Sequence, residues 1–321
     1  MNSQSKQPTK LDQPETLSTL PRRWLALLWL VPIVLIIVIL IIGTLRYQNG
    51  DKSSGISVVA AENFWGNIAT QIGGNKVSVS SIITNPNLDP HLYESDARDA
   101  AEVGNAKIVI MNGLGYDDFI SKLMASSPNS DRQVITAATV VNLSGTTANP
   151  HLWYDTAYVK LVAANIEQTL IRIDKKNANF YETNLAAFDN SLNPVLAIIS
   201  TISTKYSGTA VAYTERVPQY LISETGLTNV TSSGFAEAIE NGTDPSPADT
   251  LTMNNLITSH SIKVLFYNTQ TVSAVTAKLK GLALQNGIAI IGVSETMPTT
   301  ETSYQSWQLH QDQALLGALG N

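Results

Sequence analysis

The motif Asn149-Pro150-His151-Leu152-Trp153-Tyr154-Asp155 places a histidine at the start of a long helical pattern. Behind it, apolar residues recur at helical spacing with few breaks to about Lys205. Alternating strand and helix patterns precede and follow this run. The sequence therefore predicts an α/β fold of two lobes bridged by one long helix, which Pro194 can kink.

Each lobe is predicted from short apolar runs that alternate with helical patterns, which is typical of a mainly parallel sheet flanked by helices. In the N-terminal lobe the predicted strands are 56–61, 77–83, 107–112 and 133–136, with helices at 64–72, 96–105 and 116–125. In the C-terminal lobe the predicted strands are 209–213, 228–230, 263–267 and 288–293, with helices at 217–225, 247–259, 273–286 and 304–319.

Composition excludes several classes of function. The net charge is -6 and there is no basic block, so the chain lacks the positive surface that nucleic acid requires. There is no Cys, which excludes disulfides, thiolate metal ligands and lipid attachment through an N-terminal Cys. Any metal chemistry must therefore use nitrogen and oxygen ligands.

The N-terminal region reads as a membrane anchor. Residues 24–42 are apolar and uncharged, long enough to cross a bilayer core of about 30 Å. No small-residue cleavage site follows, so an uncleaved helix is favoured over a signal peptide. Arg22 and Arg23 precede the run, and the positive-inside rule places the N-terminus in the cytoplasm and the rest outside the cell. The predicted domains are a cytoplasmic tail at 1–23, a single-pass transmembrane anchor at 24–45, a linker at 46–55, the N-terminal lobe at 56–175, the linking helix at 176–205 and the C-terminal lobe at 206–321.

Four side chains are candidate metal ligands. His91 and His151 each follow a proline that fixes the approach of the backbone. Glu215 and Glu295 each follow a predicted strand by two residues, where ligands gather in open α/β sheets. Taken singly, each has an ordinary alternative: a polar loop residue for either histidine, a pair with Arg216 for Glu215, and a loop acid for Glu295. Asp89 and Asp155 are either acceptors that orient the two imidazoles or turn and cap residues; His260 and His310 read as structural.

The motifs resemble the metal-specific solute-binding proteins of ABC importers for manganese, zinc or iron. The resemblance covers about residues 56–319. It rests on Asp89-Pro90-His91-Leu92-Tyr93-Glu94, Asn112-Gly113-Leu114-Gly115, the His151 motif and Glu295, in this order. It implies two α/β lobes bridged by one long helix and a cation held by His91, His151, Glu215 and Glu295. The chain departs from the family in lacking the lipid-bearing Cys and a His-rich loop, and in having Glu at the third and fourth ligand positions, where His and Asp respectively are common.

The sequence therefore predicts an extracellular, membrane-anchored receptor that binds a divalent transition metal and delivers it to an ABC permease. Replacing a His ligand by Glu hardens the site, so manganese is the first choice and zinc the second. No reaction and no catalytic cofactor are expected, and the chain is expected to be a monomer. The alternatives are a metal-dependent hydrolase and a surface adhesin with a structural metal.

Overall fold

Two four-stranded parallel sheets form the centres of two lobes, as the alternating pattern predicts. The computed structural model describes residues 55–86, 90, 93–145 and 147–320. The predicted tail, the transmembrane anchor at 24–45, the linker as far as residue 54, Asp89 and His91 lie outside the described residues.

The N-terminal sheet has the strand order β2-β1-β3-β4. Its strands are Ile56–Glu62 (β1), Val77–Ile83 (β2), Ile108–Met111 (β3) and Gln133–Thr136 (β4). The helices of this lobe are Asn63–Gly73 (α1), Ala97–Asn105 (α2), Asp118–Ser126 (α3) and Ala137–Val140 (α4). The central strands β1 and β3 are almost wholly buried, which is why they read as unbroken apolar runs in the sequence.

The connection between the lobes differs from the single predicted helix. The predicted linking helix at 176–205 is divided into Ala178–Ser191 (α6) and Asn193–Tyr206 (α7), and Thr156–Ile173 (α5) precedes them. The first break follows Asp174, whose backbone leaves the helical region at φ −134° and ψ 67°. The second lies at Leu192, because Pro194 in the first turn of α7 has no N–H to continue the hydrogen bonding of α6.

Among the helices that the structure describes, one segment is long and apolar enough to cross a membrane, Lys175–Tyr206. Core helices of soluble proteins reach the same length and apolar content. Here α6 contacts α1, and buried side chains such as Phe188 and Ile199 join the main apolar core. We therefore describe α6 and α7 as connecting helices; the domain boundaries at 175 and 205 stay predictions.

The C-terminal sheet has the strand order β6-β5-β7-β8. Its strands are Ala210–Tyr213 (β5), Thr228–Asn229 (β6), Val264–Asn268 (β7) and Ala289–Val293 (β8). The remaining helices are Gln219–Glu224 (α8), Ser233–Glu240 (α9), Pro247–Thr258 (α10), Ala274–Gln285 (α11) and Tyr304–Gly320 (α12). The prediction missed α9, which opens with Ser233-Gly234 and so has a weak helix signal.

One apolar core runs through both lobes. At its centre the Phe64 ring stacks on Trp153 with centroids 4.3 Å apart, and Trp307 of α12 lies against Phe64 at 6.1 Å. Two hydrogen bonds between the lobes add to this packing. The Asn63 side chain donates to the carbonyl of Met297 at 2.7 Å and accepts from its backbone N–H at 2.9 Å. The lobes are therefore tied by a packed interface beside the candidate site.

Candidate metal centre

Three of the four predicted ligands come together in the buried space between the lobes. His151 precedes a 3₁₀ turn that leads into α5, while Glu215 follows β5 and Glu295 follows β8. All three side chains are at most 1% exposed. His91 lies outside the described residues, so its place in this group stays a prediction.

The orientation of His151 is set by Asn149. The Oδ1 atom of Asn149 accepts from the backbone N–H of His151 at 3.1 Å and lies 2.6 Å from its Nδ1. Because an amide oxygen only accepts, Nδ1 carries a proton in this contact, and Nε2 faces Glu295. The other end of the Asn149 amide donates to the carbonyl of Arg216 at 2.9 Å, which places the oxygen toward His151.

Asn149, rather than Asp155, is thus the acceptor that orients the imidazole. The Asp155 side chain instead accepts from the backbone N–H of Tyr158 at 3.0 Å and caps α5. Of the two interpretations of Asp155, the structure therefore supports the helix cap and not the acceptor that orients the imidazole. The sequence signal for Asn149 was its place two residues before His151, where an Asn side chain can bond its own turn.

Glu295 meets the N-terminal lobe through two groups. Its Oε2 atom lies 3.5 Å from Nε2 of His151 and accepts from the Tyr116 hydroxyl at 3.0 Å. Its Oε1 atom accepts from the Asn268 side chain at 2.7 Å. Burial, followed by the nearby charge of Glu295, raises the pKa of Tyr116 well above its ordinary value, so the phenol stays protonated and acts as a donor.

Glu215 is joined to Glu295 through a shared neighbour. Its Oε2 atom accepts from the same Asn268 nitrogen at 2.5 Å. The alternative pairing with Arg216 is wrong, because Arg216 instead donates to both oxygens of Glu240, at 2.6 and 2.8 Å. Glu215 is therefore directed into the interlobe space.

The turn Asn112-Gly113-Leu114-Gly115 supports the site from the N-terminal lobe. Its three residues from Gly113 to Gly115 all have positive φ, at 85°, 59° and 82°. Asn112 donates through its side chain to the carbonyl of Pro150 at 2.7 Å, just before His151. The backbone N–H groups of Asn112 and Gly113 donate to the carboxylate of Asp117. The turn thus positions Tyr116 and holds the His151 loop, in agreement with its prediction as a turn rather than a phosphate loop.

The remaining histidines lie elsewhere. His260 follows α10 with a φ of 51° and is exposed. His310 on α12 is exposed, and its Nδ1 atom lies 2.7 Å from Oε1 of Glu301. Across residues 55–86, 90, 93–145 and 147–320, no three His, Asp or Glu side chains form a group that could hold a metal ion by themselves. A complete site therefore needs a further ligand or a small movement of those described.

Comparisons with known proteins agree with this architecture. The ZnuA family model, described as zinc-uptake complex component A, periplasmic, matches residues 58–318. The metal ABC transporter substrate-binding lipoprotein FimA of Streptococcus parasanguinis is 28% identical over 176 residues, which are 50% of this chain and 57% of that protein. The manganese ABC transporter substrate-binding lipoprotein PsaA of Streptococcus pneumoniae is 29% identical over 177 residues, with the same two shares. The chain thus spans little more than half the length of these curated relatives.

Two solved structures share the fold. The periplasmic zinc binding protein TroA from Treponema pallidum has a TM-score of 0.70 at 18% identity, covering 83% of this chain and 99% of its own. The laminin-binding adhesin Lmb from Streptococcus agalactiae, solved as a mutant, has a TM-score of 0.70 at 20% identity, covering 83% and 100%. At such identities these similarities show the fold alone. Because the family match spans nearly all of the two-lobed region, the chain belongs to the ZnuA family of metal-specific solute-binding proteins.

Proposed function

We propose that this chain binds one divalent transition-metal ion between its lobes and delivers it to an ABC permease. The observation that carries this is the pair formed by Nε2 of His151 and Oε2 of Glu295 at 3.5 Å. Asn149 turns Nε2 of His151 toward Glu295, and imidazole nitrogen and carboxylate oxygen are both ordinary metal ligands. The two ligand atoms are buried and 3.5 Å apart, close enough for one cation to bind both.

The donor set favours a transition metal. His151 supplies imidazole nitrogen and Glu215 and Glu295 supply carboxylate oxygen, and we propose His91 as the fourth ligand. Imidazole with carboxylate suits manganese, iron and zinc, and the second carboxylate hardens the site. We therefore keep manganese as the first cargo and zinc as the second. FimA and PsaA are described as ABC transporter substrate-binding proteins, which supports delivery to a permease.

We also propose that residues 24–45 anchor the chain in the membrane, with both lobes on the extracellular side. The curated relatives are described as lipoproteins. This sequence contains no Cys that could carry such a lipid, whereas residues 24–42 are apolar and free of charge. The matched family is one of transport proteins, which is consistent with the expectation of no enzymatic activity.

The proposal is tested by metal titration of the fragment that starts at Ser54, with bound metal measured by elemental analysis. We expect one Mn(II) or Zn(II) per chain and a loss of at least about tenfold in affinity for His151→Ala, because a ligand is removed. His260→Ala and His310→Ala are matched controls that should bind as the wild type does. The full chain, unlike the fragment, should sediment with membranes.

Binding of several ions with equal affinity, or equal effects of all three substitutions, would refute the metal site. Full-length protein that remains in the soluble fraction would refute the anchor alone.

A further inference from the structure

Basic side chains surround the end of the N-terminal lobe where β1 begins. Ile56, the first residue of β1, pairs with Val77 of β2, and the backbone N–H of Lys107 donates to the second residue of β1 at 3.0 Å. Lys76 and Lys107 therefore lie on either side of the start of β1. The chain that precedes β1 leads to residues 24–45, the proposed membrane anchor.

The connection between α5 and α6 brings three more cations to this end. Arg172, Lys175 and Lys176 are exposed. The Nζ atom of Lys76 lies 5.8 Å from the centre of the Phe180 ring in α6, which places this connection beside the start of β2. We call these five side chains the basic end of the lobe: Lys76, Lys107, Arg172, Lys175 and Lys176.

Within the described segments that form the basic end, Asp174 is the one acid. These segments are 55–57, 74–77, 105–108 and 172–178. A hydrogen bond from Asn177 lowers the pKa of Asp174 most, and the charges of Lys176 and Lys76 also lower it, because the three charges lie close together. The chain as a whole has a net charge of -6, so the basic end is a positive region on an acidic protein.

The acids of the neighbouring segments lie apart from this region. Glu102 of α2 pairs with Arg98 of the same helix at 2.9 Å. Asp131 precedes β4, which is the edge strand of the sheet, so β3 lies between β4 and β1. The excess of positive charge is therefore concentrated around the start of β1 and the connection between α5 and α6.

We propose that the basic end binds the anionic phospholipid headgroups of the membrane in which the chain is anchored. This inference rests on the proposed anchor. The predicted linker at 46–55 spans at most about 35 Å when fully extended, so the end of the lobe that carries the start of β1 stays near the bilayer. Each Lys or Arg close to anionic lipid strengthens binding about fivefold, and salt screens the attraction.

The proposed metal site lies at the opposite end of the lobe. His151 precedes α5 and Lys175 follows it, and the 18 residues of α5 are about 27 Å long. The strands of the sheet are parallel, so their starts share one edge, and the turn at 112–115 lies beyond the other. Binding of the basic end to lipid therefore holds the metal site away from the bilayer and open to the medium from which metal arrives.

The test measures how close the basic end lies to lipid in the full chain. The chain contains no Cys, so Asn75→Cys, at an exposed position next to Lys76, accepts a single fluorescent label. The labelled chain is reconstituted into vesicles of phosphatidylcholine, alone or mixed equally with phosphatidylglycerol. Each vesicle carries a trace of lipid labelled with an acceptor dye, and energy transfer from the protein to the lipid is measured.

Two double variants of the labelled chain test the role of charge. Lys175→Glu with Lys176→Glu reverses two cations of the basic end. Lys263→Glu with Lys278→Glu is the matched control, because both are exposed lysines of the C-terminal lobe and the change in net charge is the same.

We expect energy transfer in the unsubstituted labelled chain to be higher with phosphatidylglycerol than without it, and high salt should remove the difference. Reversal of Lys175 and Lys176 should weaken the association at least about tenfold, so that most of the rise in transfer disappears. The control variant should keep the rise.

Equal energy transfer in the two kinds of vesicle would overturn the inference, and so would equal losses in the two double variants. Failure of the proposed anchor is a different result, because the chain would then not float with phosphatidylcholine vesicles at all.

Discussion

Neutral side chains determine what the charged residues of this site can do. Asn149 orients the His151 ring, and Asn268 and Tyr116 supply donors to Glu295. A neutral donor can hold an acid in place without replacing the positive charge of an incoming cation. The site is therefore preorganised while its negative charge remains available to the metal.

Tyr116→Phe tests this preorganisation. The substitution removes the hydroxyl that donates to Glu295 at 3.0 Å from the opposite lobe. We expect metal affinity to fall about tenfold, because a ligand loses the partner that orients it. Tyr181→Phe is the matched control, since its hydroxyl donates to Asp174 at 3.0 Å away from the site. Isothermal titration should show weaker metal binding only for Tyr116→Phe. Equal affinities in both variants would show that the Tyr116 hydroxyl does not support metal binding.

The sequence predicted the charged members of the site better than the neutral ones. Glu215 and Glu295 follow buried strands, and strand ends are where parallel sheets bind ligands. Asn268 also ends a strand, but an amide carries no charge signal and its role depends on the neighbouring strands β5 and β8. Tyr116 acts across the interface, on a residue 179 positions away. Such a contact depends on how the lobes pack, and no periodic pattern in the sequence indicates it.

The turn at residues 112–115 is the element on which the N-terminal side of the site depends. Its run of positive φ values brings the Asp117 carboxylate under the N–H groups of Asn112 and Gly113. A β-carbon added at Gly113 would lie 2.8 Å from Cγ2 of Thr136 and 3.2 Å from Cβ of Ala138. At Gly115 it would meet nothing within 4 Å.

Gly113→Ala and Gly115→Ala therefore separate backbone strain from crowding. Both place Ala at positive φ, which costs about 1–2 kcal/mol. Only Gly113→Ala adds the contact with Thr136, so its free energy of unfolding should fall further, by about 1–3 kcal/mol more. Urea unfolding of the metal-free protein measures this difference. Equal losses would mean that the lobe relaxes around the added methyl group and that the turn is not tightly packed.

The elements themselves were predicted to different extents. Central strands such as β1 and β7 were found because burial on both faces leaves an apolar run. The connecting helix was predicted as one rod, since the apolar period continues across its breaks. The break at Leu192 follows from the missing N–H of Pro194, the kink that the sequence indicated, whereas the departure of Asp174 from helical backbone is a local feature that periodicity does not register.

At the scale of the whole molecule, burial raises the pKa of many carboxyl groups. Desolvation and then the charge of Asp117 raise the pKa of Glu62 well above its ordinary value. Desolvation raises the pKa of Asp117 to about 6, although its backbone hydrogen bonds oppose the shift. On α12, desolvation followed by the charge of Glu224 raises the pKa of Asp312. The folded metal-free protein thus holds protons that the unfolded chain would release.

This proton uptake predicts an unusual dependence of stability on pH. The pKa of Asp117 is about 6 in the folded protein and 3.8 ordinarily. Its contribution to the free energy of unfolding is therefore complete below pH 3.8 and is lost as the pH rises to about 6. The difference between the two pKa values corresponds to a loss of about 2–3 kcal/mol in the free energy of unfolding. Glu62→Gln removes the second carboxyl whose pKa is raised in the folded protein, so the loss of stability between pH 4 and 6 should shrink. Urea unfolding of the metal-free protein at pH 4, 5, 6 and 7 measures this loss. Glu102→Gln is the control, because Glu102 pairs with Arg98 at the surface, away from Asp117. Parallel curves for Glu62→Gln and the wild type would show that Glu62 does not contribute to this loss.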